Sequence, residues 1–502
     1  MHNQYSLKNG PHKLPQWIAL GAALAILLTA CSDDVPGGEN QLRESDCAED
    51  ESWNPIHGIC QPNEQNENDD VGVNSGNGDE EDAFTPPVDE CGPDGTPTAI
   101  TGVVNIPSGE LPLPDVNVYV PPPHAEIAPF TEGATCEPCG QGLSVNPMAE
   151  DTTNVVGEFR LTGVPTGEDI PLVVEIGKWR RQATIPYVAE CEETAVDPEL
   201  TRLPRNREEG ELPKFAVTTG ECDALECLLR KIGIDDSEFT AASDDGAVHL
   251  FAGQGGSNSF EGGGTFDQAW PWWDDADNLL NYDIIAHSCE CSEAMGNKSD
   301  DALDALLEFT EAGGRVFLSH YHYAWLKHGP HDFKQVADWF SMAAITGTTE
   351  AGLIDTSFPK GQLLREWMYR TGTEPAGEFP INQTRGSIES INENYATQWV
   401  WIESEGMDLP GFGGLFPDPP PELVQYFSFN SPVGAAPDNQ CGRVVFSDIH
   451  VVGSQSFTPG APFPSGCPGG ALTPQEKALV FMMFDLSRCI IPDKGSFAGG
   501  GQ

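Results

Sequence analysis

Two periods divide the hydrophobic pattern of this chain. Between Thr96 and about Glu190, the runs "AITGVVNIP", "DVNVYVP", "GEFRLTGVP" and "IPLVVEIGKW" alternate apolar with polar residues and are punctuated by Pro and Gly. Period-two patterning with such breaks predicts the strands of a small antiparallel β-sandwich. After the polar connector "TRLPRNREEGELP" the period lengthens to 3.6. "CDALECLLRKIG" sets Leu225, Leu228, Leu229 and Ile232 on one helical face and stops at Gly233. The apolar runs "AVHLFAG", "YDIIAHS" and "GRVFLSH" then read as buried strands. Between the last two, "DDALDALLEFTEAGG" reads as an amphipathic helix with Leu303, Leu306, Leu307 and Thr310 inward. Further on, "KGQLLREWMYRTG" predicts a helix, and "TQWVWIES", "LVQYFSFN" and "GRVVFSDIHV" predict strands. A closing helix starts with a capping box, Thr473 with Glu476, and Pro474 at its first position. Strands alternating with helices predict a mostly parallel sheet with both faces covered. The fold class is multidomain: a β-sandwich with its connector over residues 96–215, an α/β domain over 216–492 and a flexible tail over 493–502.

The pattern before residue 96 is different. Residues 32–95, with "NEQNENDDVGVNSGNGDEED", hold too few apolar groups to bury a core and are expected to form an acidic, disordered stalk. Within it, "CAEDESWNPIHGIC" reads as a loop closed between Cys47 and Cys60. Residues 1–31 run from Lys8 and Lys13 into "WIALGAALAILL" and end in "LTAC", the pattern of a bacterial lipoprotein signal with Cys31 as the lipidated residue. The apolar run is short for a membrane span, and acyl chains on Cys31 would supply the anchor. Ser32 after the cysteine resembles the sorting signal for the outer membrane. The expected location is the cell envelope, probed from either the periplasmic or the outer side.

Composition sharpens this picture. Twenty-five Lys and Arg against 78 Asp and Glu give a net charge of −53, which excludes nucleic acid and argues against attraction to anionic lipid. Fourteen cysteines in an exported chain predict disulfides, and with Cys31 lipidated an odd number remains, so at least one thiol is free or pairs between chains. The "CEPC" spacing is read as a local Cys136–Cys139 disulfide, with a zinc knuckle or redox pair as the competing readings.

Candidate chemistry gathers at three strand ends: "IIAHSCEC" with His287, Cys289, Glu290 and Cys291, "FLSHYHY" with His320 and His322, and "VFSDIH" with Asp448 and His450. Ligands of open parallel sheets sit beyond such ends. Alternate residues of a strand share a face about 7 Å apart, so His320, His322, Asp448 and His450 would supply ligands to a divalent metal, zinc or iron, that activates water. The competing reading is that these groups cap strand ends by hydrogen bonding. Two further patches suit a glycan: Trp179, Arg180 and Arg181 in "GKWRRQ", and Trp270, Trp272 and Trp273 in "WPWWDD". The first also suits pairing with the protein's own carboxylates, and the second a core.

The strand order "TGVV", "LPLPDVNVYV" and "GEFRLTGVPTGEDIPLVVEIG" resembles the carboxypeptidase regulatory-like module, a transthyretin-like sandwich of the carbohydrate-binding-like fold, here with the insertion "PPPHAEIAPFTEGATCEPCGQGLSVNPMAED". The unit ending in "GGRVFLSH" is similar to the class I glutamine amidotransferase-like fold, in particular its ThuA-like branch, which implies a flavodoxin-like sheet. "TRLPRN", "LECLLRKIGIDDSEF", "GGRVFLSHYHYAWL", "FNSPVGAA", "CGRVVFSDIHV" and "LTPQEKALVFMMFDLS" resemble a family of uncharacterised bacterial lipoproteins that combine these domains. An amidotransferase nucleophile would fall at Cys289 with His450 as base. Its elbow has a glycine two residues to either side of the cysteine, however, and "HSCEC" has neither, so a disulfide at Cys289 or Cys291 is expected instead. The expected function is a noncatalytic, lipid-anchored binding protein for a polysaccharide or a surface protein. The alternative is a metal-dependent hydrolase using the four strand-end residues.

Overall fold

The computed structural model describes residues 51–54, 59–62, 91, 95–136, 143–345, 349–404, 421–451 and 457–494. The expected signal, Cys31, Cys47 and most of the stalk lie outside them. The chain divides into two compact units, Met1–Asn74 and Ser75–Gln502. The first contains an antiparallel hairpin of β1 (Glu51–Asn54) and β2 (Ile59–Pro62).

In the second unit, the period-two region forms β3 (Ala99–Val103), β4 (Asn117–Val120), β5 (Ala149–Thr152), β6 (Glu158–Thr162), β7 (Gly167–Ile176), β8 (Trp179–Val188) and β9 (Glu193–Ala195). They make two sheets, ordered β6-β3-β9 and β5-β4-β7-β8. β6 shows the alternation plainly: Phe159 and Leu161 are buried between exposed Glu158, Arg160 and Thr162.

The remainder forms β10 (Phe215–Thr218), β11 (Phe239–Thr240), β12 (Val248–Ala252), β13 (Asp267–Gln268), β14 (Ile284–His287), β15 (Arg315–Ser319), β16 (Ala337–Ile345), β17 (Thr349–Ile354), β18 (Glu378–Asn382), β19 (Arg385–Ile391), β20 (Ala396–Glu403), β21 (Glu422–Ser431) and β22 (Gly442–Ser447). One large sheet runs β11-β12-β10-β14-β15-β22-β21-β20-β17-β18, with β13 paired to β12 and β16 pairing β19 separately. The strands from β11 to β22 are parallel, whereas β21, β20, β17 and β18 extend the sheet antiparallel. The sheet is therefore mixed, and its parallel half, β12-β10-β14-β15-β22, has the doubly wound order 2-1-3-4-5.

Alternation within the parallel strands feeds two cores. Phe215, Val217, Phe317 and Val445 face one, with Leu225, Leu228, Met482 and Met483 of the helices Leu225–Lys231 and Pro474–Ser487. Ala216, Val316, Leu318 and Phe446 face the other, with Leu303, Leu306 and Phe309 of the helix Asp300–Glu311. The expected capping box of Thr473 and Glu476 is present.

The first core does not end at the large sheet. Trp179 of β8 packs against Phe215 (6.2 Å between ring centroids) and Phe484 (5.6 Å), and the same cluster contains Val118, Leu161 and Val174 from the small sheets. Polar ties follow the apolar contact: Lys178 to Asp283 at 2.5 Å, Arg488 to Asp115 at 2.7 Å and the Trp367 indole to the Pro112 carbonyl at 2.7 Å. Disulfides add covalent closure: Cys91–Cys191, Cys136–Cys441, Cys222–Cys291 and Cys227–Cys467. Cys136 thus bridges to Cys441, the residue before β22, and not to its neighbour Cys139, because the insertion lies against the β21–β22 connection. This corrects the local pairing and removes the knuckle and redox readings of "CEPC".

Since the small sheets and the large one share a core, Trp179→Ala is expected to cost about 3–5 kcal/mol and to leave unfolding a single transition. Urea denaturation followed by both fluorescence and circular dichroism checks this. Separate transitions for the two regions would contradict it.

Candidate functional site

The three sequence-predicted strand ends are neighbours, since β14, β15 and β22 lie side by side and parallel. Each delivers a different side chain to one buried point. Beyond β14, the backbone of Cys289 is clamped: its carbonyl accepts from the Cys222 N–H at 2.9 Å, and Cys222 is bridged to Cys291. Gly220 permits this close approach, because a Cβ there would stand 2.2 Å from the Cys289 oxygen. Cys289 itself is free and fully buried, so of the two cysteines expected to bond, Cys291 does.

Beyond β15 the chain does not continue as a strand. His320 turns at φ +39° into a 3-10 turn, His320–Tyr323. This left-handed conformation is costly for a non-glycine residue and clusters at functional sites. It sends His320 and His322 in different directions instead of onto one strand face. His320 Nδ1 lies 3.5 Å from Cys289 Sγ, and its ring is 5.1 Å from that of His450. Cys289, His320 and His450 each offer a ligand atom, and the three atoms lie within 4.8 Å of one another.

His322 and Asp448 stand outside this group. His322 Nε2 donates to the Ser288 carbonyl at 2.8 Å, and its Nδ1 accepts from the Trp325 indole at 2.9 Å. Both nitrogens are occupied, and the ring stacks on His287 with centroids 5.0 Å apart. Asp448 accepts from the Ser387 N–H and hydroxyl, each at 2.9 Å. Glu290 is neutralised by Lys298 at 2.6 Å, both fully buried. The four-ligand set His320, His322, Asp448 and His450 is thus replaced by a three-ligand set, because a tight turn and two saturated hydrogen-bonding networks intervene.

Burial keeps this centre neutral. It pushes the Cys289 thiol up to about 12, against the pull of the Tyr321 and Cys291 N–H groups. It pulls His450 down to about 3, helped by Arg385, and holds His320 well below its usual range, helped by His450 and Arg385. Burial likewise raises Asp448 to about 7, Asp223 to about 6 and Glu226 to about 8. Neutral imidazole is the form that ligates metal. Among the described residues, His450 Nε2 and His320 Nε2 are buried without a hydrogen-bond partner, a cost that a bound ion at the cluster would offset in part.

Asp223, Glu226 and Arg385 escaped the sequence reading. Asp223 and Glu226 fall just after the first parallel strand and at the start of its helix, a position that could have flagged them. Arg385 carries no such signal.

The glycan patches are placed differently from the expectation. Trp179 and Arg180 are each 1 % exposed. Arg180 is bound to Glu211 and faces Glu175, and Arg181 donates to the Arg202 carbonyl. Trp272 stacks on Phe251 at 4.0 Å, and the Trp273 indole donates to the Asn297 carbonyl at 2.8 Å. Large indole surfaces gain more from the core than from solvent, so no exposed platform forms; of the six residues, Arg181 and Trp270 keep partial exposure.

No protein-family model matches the chain, and no curated protein matches it significantly. Among solved structures the chain is similar to a protein described as ThuA-like from Bacteroides uniformis, at 10 % identity over 54 % of this chain and 89 % of that one, with a TM-score of 0.30. A second ThuA-like protein, from Parabacteroides merdae, is similar at 10 % identity over 56 % and 92 %, with a TM-score of 0.30. A chain of a cohesin–X-dockerin complex from Acetivibrio cellulolyticus is similar at 12 % identity over 29 % and 78 %, with a TM-score of 0.14. Likenesses this distant carry over neither residue nor activity. The class of the protein, α/β with additional small sheets, stands on its own strand order.

Glu226 gives the centre a measurable pH signature. Its folded pKa, about 8, lies above the unfolded value of 4.5, so the folded state holds the extra proton. That contribution is present at low pH and is lost as pH rises from about 4.5 to 8, at up to about 1.4 kcal/mol per pH unit. Relative to the parent, Glu226→Gln is expected to gain stability between pH 5 and pH 8. Urea midpoints of both proteins at the two pH values test this, and a constant difference would contradict it.

Proposed function

We propose that the chain is an exported, lipid-anchored protein of the bacterial cell envelope that holds a metal ion at Cys289, His320 and His450. In this reading a transthyretin-like sandwich is docked on a flavodoxin-like domain related to the amidotransferases, and the centre sits where that fold keeps its ligands. The observation that carries it is the convergence of one thiol and two neutral imidazoles within 4.8 Å at the ends of three adjacent parallel strands. The 3.5 Å between Cys289 Sγ and His320 Nδ1 is the spacing expected of a sulfur and a nitrogen donor each about 2.0–2.3 Å from one shared metal ion.

The role is noncatalytic. Hydrolysis needs a coordination position that substrate can reach, whereas Cys289, His320 and His450 are 0, 1 and 4 % exposed. The raised thiol pKa argues equally against an amidotransferase nucleophile, which acts as a thiolate. The disulfides support an oxidising compartment.

Elemental analysis of the purified chain is expected to show near-stoichiometric metal, lost in His450→Ala and retained in His322→Gln. Equal metal content in the two variants would overturn the ligand assignment. For the anchor, detergent phase partitioning is expected to place the parent with the detergent and Cys31→Ser in the aqueous phase; identical partitioning would remove the lipid from the proposal.

A further inference from the structure

We infer that this centre is built for copper, in a thiolate–bis-imidazole site. The inference rests on the metal reading above and goes beyond it by naming the ion. Its first support is the donor set. Among the described residues no fourth His, Cys, Asp or Glu joins Cys289, His320 and His450. One sulfur with two imidazoles is the trigonal set of copper electron-transfer sites, whereas structural zinc takes four protein ligands and catalytic zinc an accessible fourth position.

The second support is the exclusion of oxygen donors. Asp448 spends both oxygens on Ser387, and Asp223 spends its own on Ser319, Ala224 and Val451. Both carboxylates are held by these hydrogen bonds and neither joins the cluster, so a soft set remains. The same ligands bind copper more tightly than other divalent ions of the first transition row.

The third is the treatment of the sulfur. Cys289 Sγ is fully buried and lies 3.5 Å from His320 Nδ1, and the burial and surroundings of a ligating sulfur tune a copper–thiolate bond. Cys222 and Cys291, which flank it through the loop contacts, are locked to each other, so Cys289 stays a lone thiol in a chain otherwise rich in disulfides. His450 adds a buried Nε2 that has no hydrogen-bond partner among the described residues. Binding of Cu(II) would form the copper–sulfur bond and release the thiol proton to solvent, with no change of oxidation state.

The test is a titration of the metal-free full chain with Cu(II), and separately with Co(II). An intense visible thiolate-to-copper charge-transfer band is expected, saturating at equimolar metal and bleached when ascorbate supplies one electron per copper. It should be absent in Cys289→Ser and retained in His322→Gln, with circular dichroism confirming that each is folded. A cobalt–thiolate band that depends on Cys289, with no intense copper band, would overturn the copper inference and leave the metal reading standing. Failure of the parent chain to bind either ion would overturn both.

Discussion

Asp223 is the group on which the geometry of the centre depends. Its side chain is fully buried in the loop between β10 and the helix Leu225–Lys231, and it accepts from the Ser319 hydroxyl, the Val451 N–H and the Ala224 N–H. Ser319 precedes His320, and Val451 follows His450. One carboxylate therefore fixes both histidine-bearing ends against the first strand of the sheet. Each acceptor bond also lowers the cost of burying the carboxylate, so the network and its occupant hold each other in place.

The other end of β22 is fixed by charge of another kind. Arg443 and Lys360 face Asp485 and Asp493, with contacts of 2.6 to 3.4 Å, and all four side chains are at most 4 % exposed. Two cations and two anions cancel, so a chain of net charge −53 keeps this part of its interior neutral. Removing one member would leave an unpaired buried charge, which makes the network more a determinant of how the closing helix and the chain end dock than a source of net stability. The apolar helix Pro474–Ser487 then serves two layers, with Phe484 reaching Trp179 of β8 and Phe481 reaching Trp399 of β20.

Much of the fold was legible from periodicity because the strands are half-buried or buried in regular alternation and the helices carry clear stops. The three strand ends that meet were also legible, since apolar runs closing in His, Cys or Asp are conspicuous. Their partners were not. Whether His320 and His322 share a face depends on a positive φ that no period reveals. Asp448 is committed to Ser387, sixty-one residues away in the chain. The indoles of Trp179 and Trp273 look like sugar platforms in a short window and are core residues in the whole, because the surface that covers them comes from distant elements.

The pairing of Cys222 with Cys291 has a meaning for biosynthesis. Three thiols, Cys222, Cys289 and Cys291, share one small neighbourhood around the end of β14. Of the bridges open to them, only the one found leaves Cys289 unspent; either alternative would consume the sulfur at the centre. A misbridged copy would carry the same number of disulfides and differ in which cysteine was left over. Correct maturation of this protein is therefore a question of isomer choice, which depends on shuffling bonds as much as on forming them.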